Sequence, residues 1–292
     1  MAAVQCRFLG IVNMSVRLFG TTFTTASADE VLAAAAALPR TCPRLIVTAN
    51  VDHVVILAEN AAFRKAYDGA AMRTLDGMPL VWLARITGAR NVRRITGHEL
   101  IAAALTAPQP SERRVFLIGS SDLVGTRAAA AFTAAGLAPE AIANATPPFG
   151  FEGDEVYSRR LAAEIRAHGT TLLILGVGAP KSEIWVDRYG PLLGDPVTLA
   201  VGEALNVATG LVPRAPVLMQ RLGLEWFFRF LHAPRRLFSR YFLRSWRFLR
   251  IVAASRGRDS LDSALGRHRR TSSWSPAAFI RARGAPLPVR PK

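Results

Sequence analysis

Three short stretches carry residue types suited to moving a group between an alcohol and an anion. Thr48-Ala-Asn50-Val-Asp52-His53 offers a hydroxyl, an amide and an acid, and Leu75-Asp76-Gly77-Met78-Pro79 sets a carboxylate just before a helix start. Arg93-Arg94-Ile-Thr96-Gly97-His98-Glu99-Leu100 adds guanidinium groups and a second helix N-terminus. A carboxylate can deprotonate an acceptor alcohol, while arginines, amides and hydroxyls hold an anion. Each stretch has a plainer reading: Asp-Gly is a common turn pair, and Thr or Asn at a strand end commonly caps a helix.

A second set is rich in glycine. Gly176-Val-Gly178-Ala-Pro180-Lys181 follows an apolar run, with Pro180 at the expected first helical position and Lys181 beside it to meet a diphosphate. No G-x-G-x-x-G follows the first strand and no G-x-x-x-x-G-K-[ST] occurs, so phosphate binding and simple turn geometry both remain open. Cys6 and Cys42 are the two cysteines, and His53, His98, His168, His232 and His268 are scattered. Neither a disulfide framework nor a metal site is expected from those spacings.

The elements that must position these groups alternate along the chain. Ser27-Ala-Asp-Glu30 has capping-box spacing and opens a helix running to Leu38. Arg44–Ala49 reads as a buried strand, and Asp52 to Tyr67 follows with helical spacing. Val115–Gly119, Leu172–Gly176 and Val197–Gly202 are apolar strands ending in glycine, with helices expected near 123–135, 155–167 and 181–189. Strand, glycine, helix repeated predicts an α/β fold: a Rossmann-like parallel sheet with helices on both faces. Ligands of such sheets bind beyond the carboxyl ends of the strands, where Gly119, Gly176, Gly178 and Gly202 fall.

A chain of 292 residues with 50% hydrophobic and 20% charged residues buries a full core, which excludes disorder throughout. Of the formal net charge of +16, all but one unit lies in 214–292, where 18 Lys/Arg face three acids, Glu225, Asp259 and Asp262. The N-terminus shows neither the basic start nor the apolar core of a secretory signal. No charge-free apolar run reaches the roughly 18–20 residues of a membrane span, so a cytoplasmic location is expected.

From about Thr48 to Tyr241 the ordered motifs resemble the WecG/TagA/CpsF family of bacterial glycosyltransferases. They are Thr48-x-Asn50-x-Asp52-His53, Asp76-Gly-Met-Pro79, Arg94-Ile-Thr-Gly97, Pro147-Pro-Phe-Gly-Phe-Glu152, Gly176-x-Gly-x-Pro-Lys-x-Glu183, Arg214-Ala-Pro216, Gly223-Leu-Glu-Trp226 and Pro234-Arg-Arg-Leu237. The resemblance implies an inverting, metal-independent transfer from a UDP-sugar to a polyprenyl-diphospho-sugar in envelope or exopolysaccharide synthesis, with no cofactor. It implies Asp76 as general base, Thr48, Asn50 and Arg94 in the sugar and acceptor pocket, and the glycine-edged strands at UDP. Gly119, Gly176, Gly178, Pro180, Lys181, Ser182, Gly202 and Asn206 are the expected nucleotide set. Ser182 stands where relatives usually have Gln and Asn206 where they usually have Asp; a different donor sugar and neutral drift both account for that.

On a helical projection of 235–252, Arg236, Arg240, Arg244, Arg247 and Arg250 share an arc of roughly 120° opposite Phe238, Tyr241, Phe242, Leu249 and Val252, with Leu243 and Ile251 falling inside the basic arc. Such a basic amphipathic appendage suits the surface of an anionic membrane. A helix packed on its own body or on a second copy is the plainer reading, and nucleic acid is the least supported partner. Arg214, Arg229, Arg235 and Arg236 are expected to fold over the site and clamp the acceptor diphosphate. The expected organisation is a catalytic domain over 1–213, a membrane-contacting appendage over 214–254 and a disordered basic tail over 255–292. The rival from another class is a non-catalytic nucleotide- or polyanion-binding protein. Exposed aromatics around Trp226–Phe230 add self-association as an expectation.

Overall fold

Strands buried on both faces need no polar alternation, and the apolar runs behave accordingly. In a computed structural model of the chain, which describes residues 15–107, 112–221, 223–232, 234–238 and 246–255, eight strands form. β1 (Ser15–Leu18) and β2 (Thr21–Thr24) make an antiparallel hairpin, and β3 (Arg44–Ala49), β4 (Met72–Leu75), β5 (Val115–Ile118), β6 (Ile142–Ala145), β7 (Leu172–Leu175) and β8 (Val197–Ala200) one parallel sheet. The sheet order is β4-β3-β8-β7-β5-β6, and every residue of β3, β5, β7 and β8 is buried. The Rossmann-like α/β expectation holds. The hairpin went unread in the sequence; its turn residues Phe19 and Gly20 both take positive φ, 53° and 75°.

The helices are α1 (Ala28–Ala37), α2 (Val51–Glu59), α3 (Ala61–Asp68), α4 (Met78–Ile86), α5 (Gly97–Thr106), α6 (Asp122–Ala134), α7 (Glu155–Ala167), α8 (Lys181–Leu193), α9 (Ala204–Ala208), α10 (Val217–Arg221), α11 (Glu225–His232) and α12 (Pro234–Phe238). One group packs α1 on α5, α5 on α9 and α9 on α6; the other packs α2 on α3, α3 on α8 and α8 on α7. Ser27 caps α1 through the expected capping box. The single helix expected over 52–67 is two, because Asn60 is extended (φ −122°, ψ 106°) and its side chain accepts from Phe63 N at 2.9 Å to start α3. Lys181, not Pro180, is the first helical residue of α8, and that helix runs past Pro191.

Register sets the site. Ala49 lies opposite Leu75, Val47 opposite Ala200, Leu175 opposite Ala200, and Ile118 opposite both Leu175 and Ala145. The loops that follow therefore leave one edge at one level. Asp76 N and Gly77 N both donate to Ala49 O, at 2.8 and 3.1 Å, which ties the β4 loop to the β3 loop.

The chain divides into compact units Met1–Phe248 and Leu249–Lys292; of the second, 249–255 is described and is helical. Residues 239–245, with Arg240, Tyr241, Phe242 and Arg244, and the tail 256–292 lie outside the described residues, so the single helix expected over 235–252 is seen only as α12 and as 246–255. Among the described residues no helix is long and apolar enough to cross a membrane.

Candidate active site

The carboxyl edge of the sheet closes around one acid. Asp76 follows β4 directly, and Gly77 behind it packs closely on the β3 loop: a Cβ there would stand 3.2 Å from Asn50 Cα. The Asp76 carboxyl opens on a small cavity shared with Thr96, His98, Ala204, Val207, Arg214, Glu225 and Arg229. Burial raises its pKa to about 6; Arg229 and Arg94 pull it down, and Glu225 and Glu99 push it up. An acid in that position is mostly ionised at neutral pH and still basic enough to take a proton.

Two arginines line this cavity, and a third acts on its acid from nearby. Arg94 precedes α5, whose N-terminus is fixed by a second capping box between Thr96 and Glu99. Arg214 comes from the loop after α9, and Arg229 from α11, with its Nη1 3.8 Å from Glu203 Oε2. Arg94 Nη1 lies 2.7 Å and Nη2 3.5 Å from the two Glu225 carboxylate oxygens. The C-terminal segment is held against the body a third way at Gly223, where a Cβ would stand 2.8 Å from Met78 Cγ.

The remaining expected residues divide into those near Asp76 and those elsewhere on the edge. Thr48 is buried within β3, opposite Thr74. Asn50 is the N-cap of α2, its Oδ1 accepting from His53 N at 3.1 Å, which leaves its amide NH2 group for other use. Arg235 is exposed on α12 and does not line the Asp76 cavity, and the Arg236 side chain lies outside the described part.

Farther along, the glycines serve the chain itself. A Cβ on Gly176 would stand 2.8 Å from Leu205 Cδ2, and one on Gly119 3.1 Å from Ser121 O. Gly202 takes φ 54° against Gly178, whose own φ is 85°. Ser182 is buried with its Oγ donating to Gly178 O at 3.2 Å, so it closes the loop that Pro180 enters through a cis peptide. Asn206 accepts from Ser120 Oγ at 3.1 Å. Lys181 Nζ sits 3.9 Å over the Phe149 ring and 3.6 Å from Glu152.

Sequence reasoning passed over three groups. Glu225 was noted as a rare acid in a basic segment and within Gly223-Leu-Glu-Trp226, without a role. His98 lines the cavity with a buried Nδ1 that lacks a hydrogen-bond partner, and burial, then Arg214, lower its pKa. Glu183 on α8 is buried, its pKa raised to about 7 by desolvation, and its Oε2 has no partner. All three fall in stretches the sequence singled out, but their roles were not legible there, since each acquires its meaning from elements distant in the chain.

A parallel α/β sheet with an acid and arginines gathered at its carboxyl edge is an arrangement suited to group-transfer chemistry. The model of the glycosyl transferase WecG/TagA/CpsF family matches residues 16–261. The chain belongs to that family, and is a glycosyltransferase of cell-envelope polysaccharide synthesis.

Proposed function

We propose that the protein is an inverting hexosyltransferase that moves a sugar from a UDP-sugar to an undecaprenyl-diphospho-sugar at the inner face of the cell membrane, without a metal. The observation that carries this reading is Asp76, with its pKa near 6 in a cavity that also receives Arg214 and Arg229. The acceptor hydroxyl oxygen forms a bond to the anomeric carbon as its proton passes to Asp76, and the bond from that carbon to the diphosphate oxygen breaks, releasing UDP. Arg94, Arg214 and Arg229 meet diphosphate charge, with Arg235 and Arg236 extending that basic surface toward the lipid. Thr48 and the Asn50 amide face the sugars. UDP lies along Gly119, Gly176, Gly178, Pro180, Lys181, Ser182, Gly202 and Asn206, and the exposed Phe149 ring beside Lys181 offers the base a stacking face.

The proposed division is a catalytic body over 1–213, a membrane-contacting appendage over 214–254 and a basic tail over 255–292. Trp226, Phe227, Leu231 and Phe238 are exposed on α11 and α12, which supports contact with a bilayer and, without one, self-association. The test is UDP release from purified protein supplied with a panel of UDP-sugars and a polyprenyl-diphospho-sugar. Asp76→Asn is expected to lower turnover by about 10²–10⁴. No release with any donor would reject catalysis and leave a nucleotide- or polyanion-binding protein, whereas an unaffected variant would reject Asp76 as the base.

A further inference from the structure

Glu225 and Arg229 are four residues apart on α11, so helical spacing puts them on one face. Each pairs with the body in the opposite sense. Glu225 sits in the fork of Arg94, and Arg229 lies against Glu203 just before α9. The Arg94–Glu225 pair is the better shielded, with side chains 18% and 21% exposed, against 39% and 25% for Arg229 and Glu203. A two-contact guanidinium–carboxylate pair fixes orientation as well as distance. Only Glu225 and Arg229 of α11 line the cavity, and the exposed Trp226, Phe227 and Leu231 of the same helix do not.

We infer that Glu225 is a positioning residue of the transfer site: received in the Arg94 fork, its carboxylate fastens α11 over Asp76, fixes the Arg94 guanidinium and brings Arg229 to the acid. This rests on the reading of Asp76 as base. The charged groups facing Asp76 are Arg94, Glu99 and His98 around the start of α5, Arg214 from the loop after α9, and Glu225 and Arg229 from α11, with Glu203 behind Arg229. In that set Glu225 opposes ionisation of Asp76 while its partner Arg94 favours it, so removing the Glu225 charge alone makes Asp76 easier to ionise.

The variant Glu225→Gln keeps the shape and removes the charge. In the full chain, hydrogen–deuterium exchange of 224–232 is expected to quicken by roughly tenfold or more, as a locally held helix loosens. The acid limb of kcat/KM is expected to move to lower pH by about half a unit or more. The swap Arg94→Glu with Glu225→Arg should restore slow exchange without restoring transfer, because Arg94 is among the proposed anion ligands. Wild-type exchange in Glu225→Gln overturns the inference, and so does an acid limb that stays in place. If Asp76→Asn transfers normally, the base assignment fails, and the exchange measurement alone then decides whether Glu225 fastens α11.

Discussion

At the scale of single residues, Asp76 is where the physics has a measurable sign. Its ordinary pKa of 3.8 is raised to about 6 in the folded protein, so between these values the folded state binds more protons than the unfolded one. Stability attributable to Asp76 is therefore greatest at low pH and falls as pH rises from about 4 through 6. Asp76→Asn removes a charge that folding must desolvate. The variant is expected to be more stable at pH 7–8, by at most about 3 kcal/mol, with the gain disappearing near pH 4. Thermal unfolding of both proteins across pH checks this, and equal pH dependence would show that Asp76 is ordinarily solvated. For the wild type, kcat/KM is expected to rise with pH through about 6 and then level, since the base must be ionised. The place of Asp76 was legible because an Asp-Gly pair before a helix at a strand end is a local pattern, while its reading as a base came from the family resemblance. Glu225 was not legible, because its role depends on Arg94, 131 residues away.

Among elements, the strands were legible for a reason peculiar to parallel sheets. β3, β5, β7 and β8 are buried throughout, so β5 and β7 appear as unbroken apolar runs and β3 and β8 as mostly apolar ones rather than weak alternations. The break between α2 and α3 was hidden because helix-forming residues flank Asn60 on both sides and that one residue both ends α2 and caps α3. The glycines were located correctly but carry a duty that composition does not display. Gly176 lies where a methyl group would press into Leu205 of α9, the helix whose Ala204 and Val207 line the Asp76 cavity. Gly176→Ala is expected to destabilise by about 1–3 kcal/mol through overpacking. Combined with Leu205→Val it should cost less than the sum of the two single changes, because the smaller side chain yields the space. Strict additivity in denaturant unfolding would place the strain elsewhere than at this contact.

For the whole molecule, the charge asymmetry of the sequence acquires a structural counterpart. Beyond α9 the described residues add only Ala215 and Phe248 to the buried apolar core, while Leu218, Trp226, Phe227, Leu231 and Phe238 stay exposed. The C-terminal segment is therefore held to the body chiefly by polar and peripheral contacts: Arg94–Glu225, Arg229–Glu203, Arg247–Glu59, and Phe19 edge-on to Phe248 with ring centres 6.1 Å apart. Contacts of that kind can hold a cover in place without being needed to fold the sheet. A chain ended after Val212 is thus expected to fold with its six-stranded core intact, showing cooperative thermal unfolding and native-like circular dichroism. It should lose co-sedimentation with vesicles containing phosphatidylglycerol, because Arg229, Arg235 and the exposed aromatics leave together. Asp76 should respond as well. The largest cause of its raised pKa is burial, and removing α11 opens the cavity to water, so the value should fall back toward the ordinary carboxylate range even though Arg229 is lost. Titrating Asp76 by NMR in the shortened chain checks that step. A pKa still near 6 would mean that the body alone buries the acid, and continued vesicle binding would place the membrane contact within 1–212.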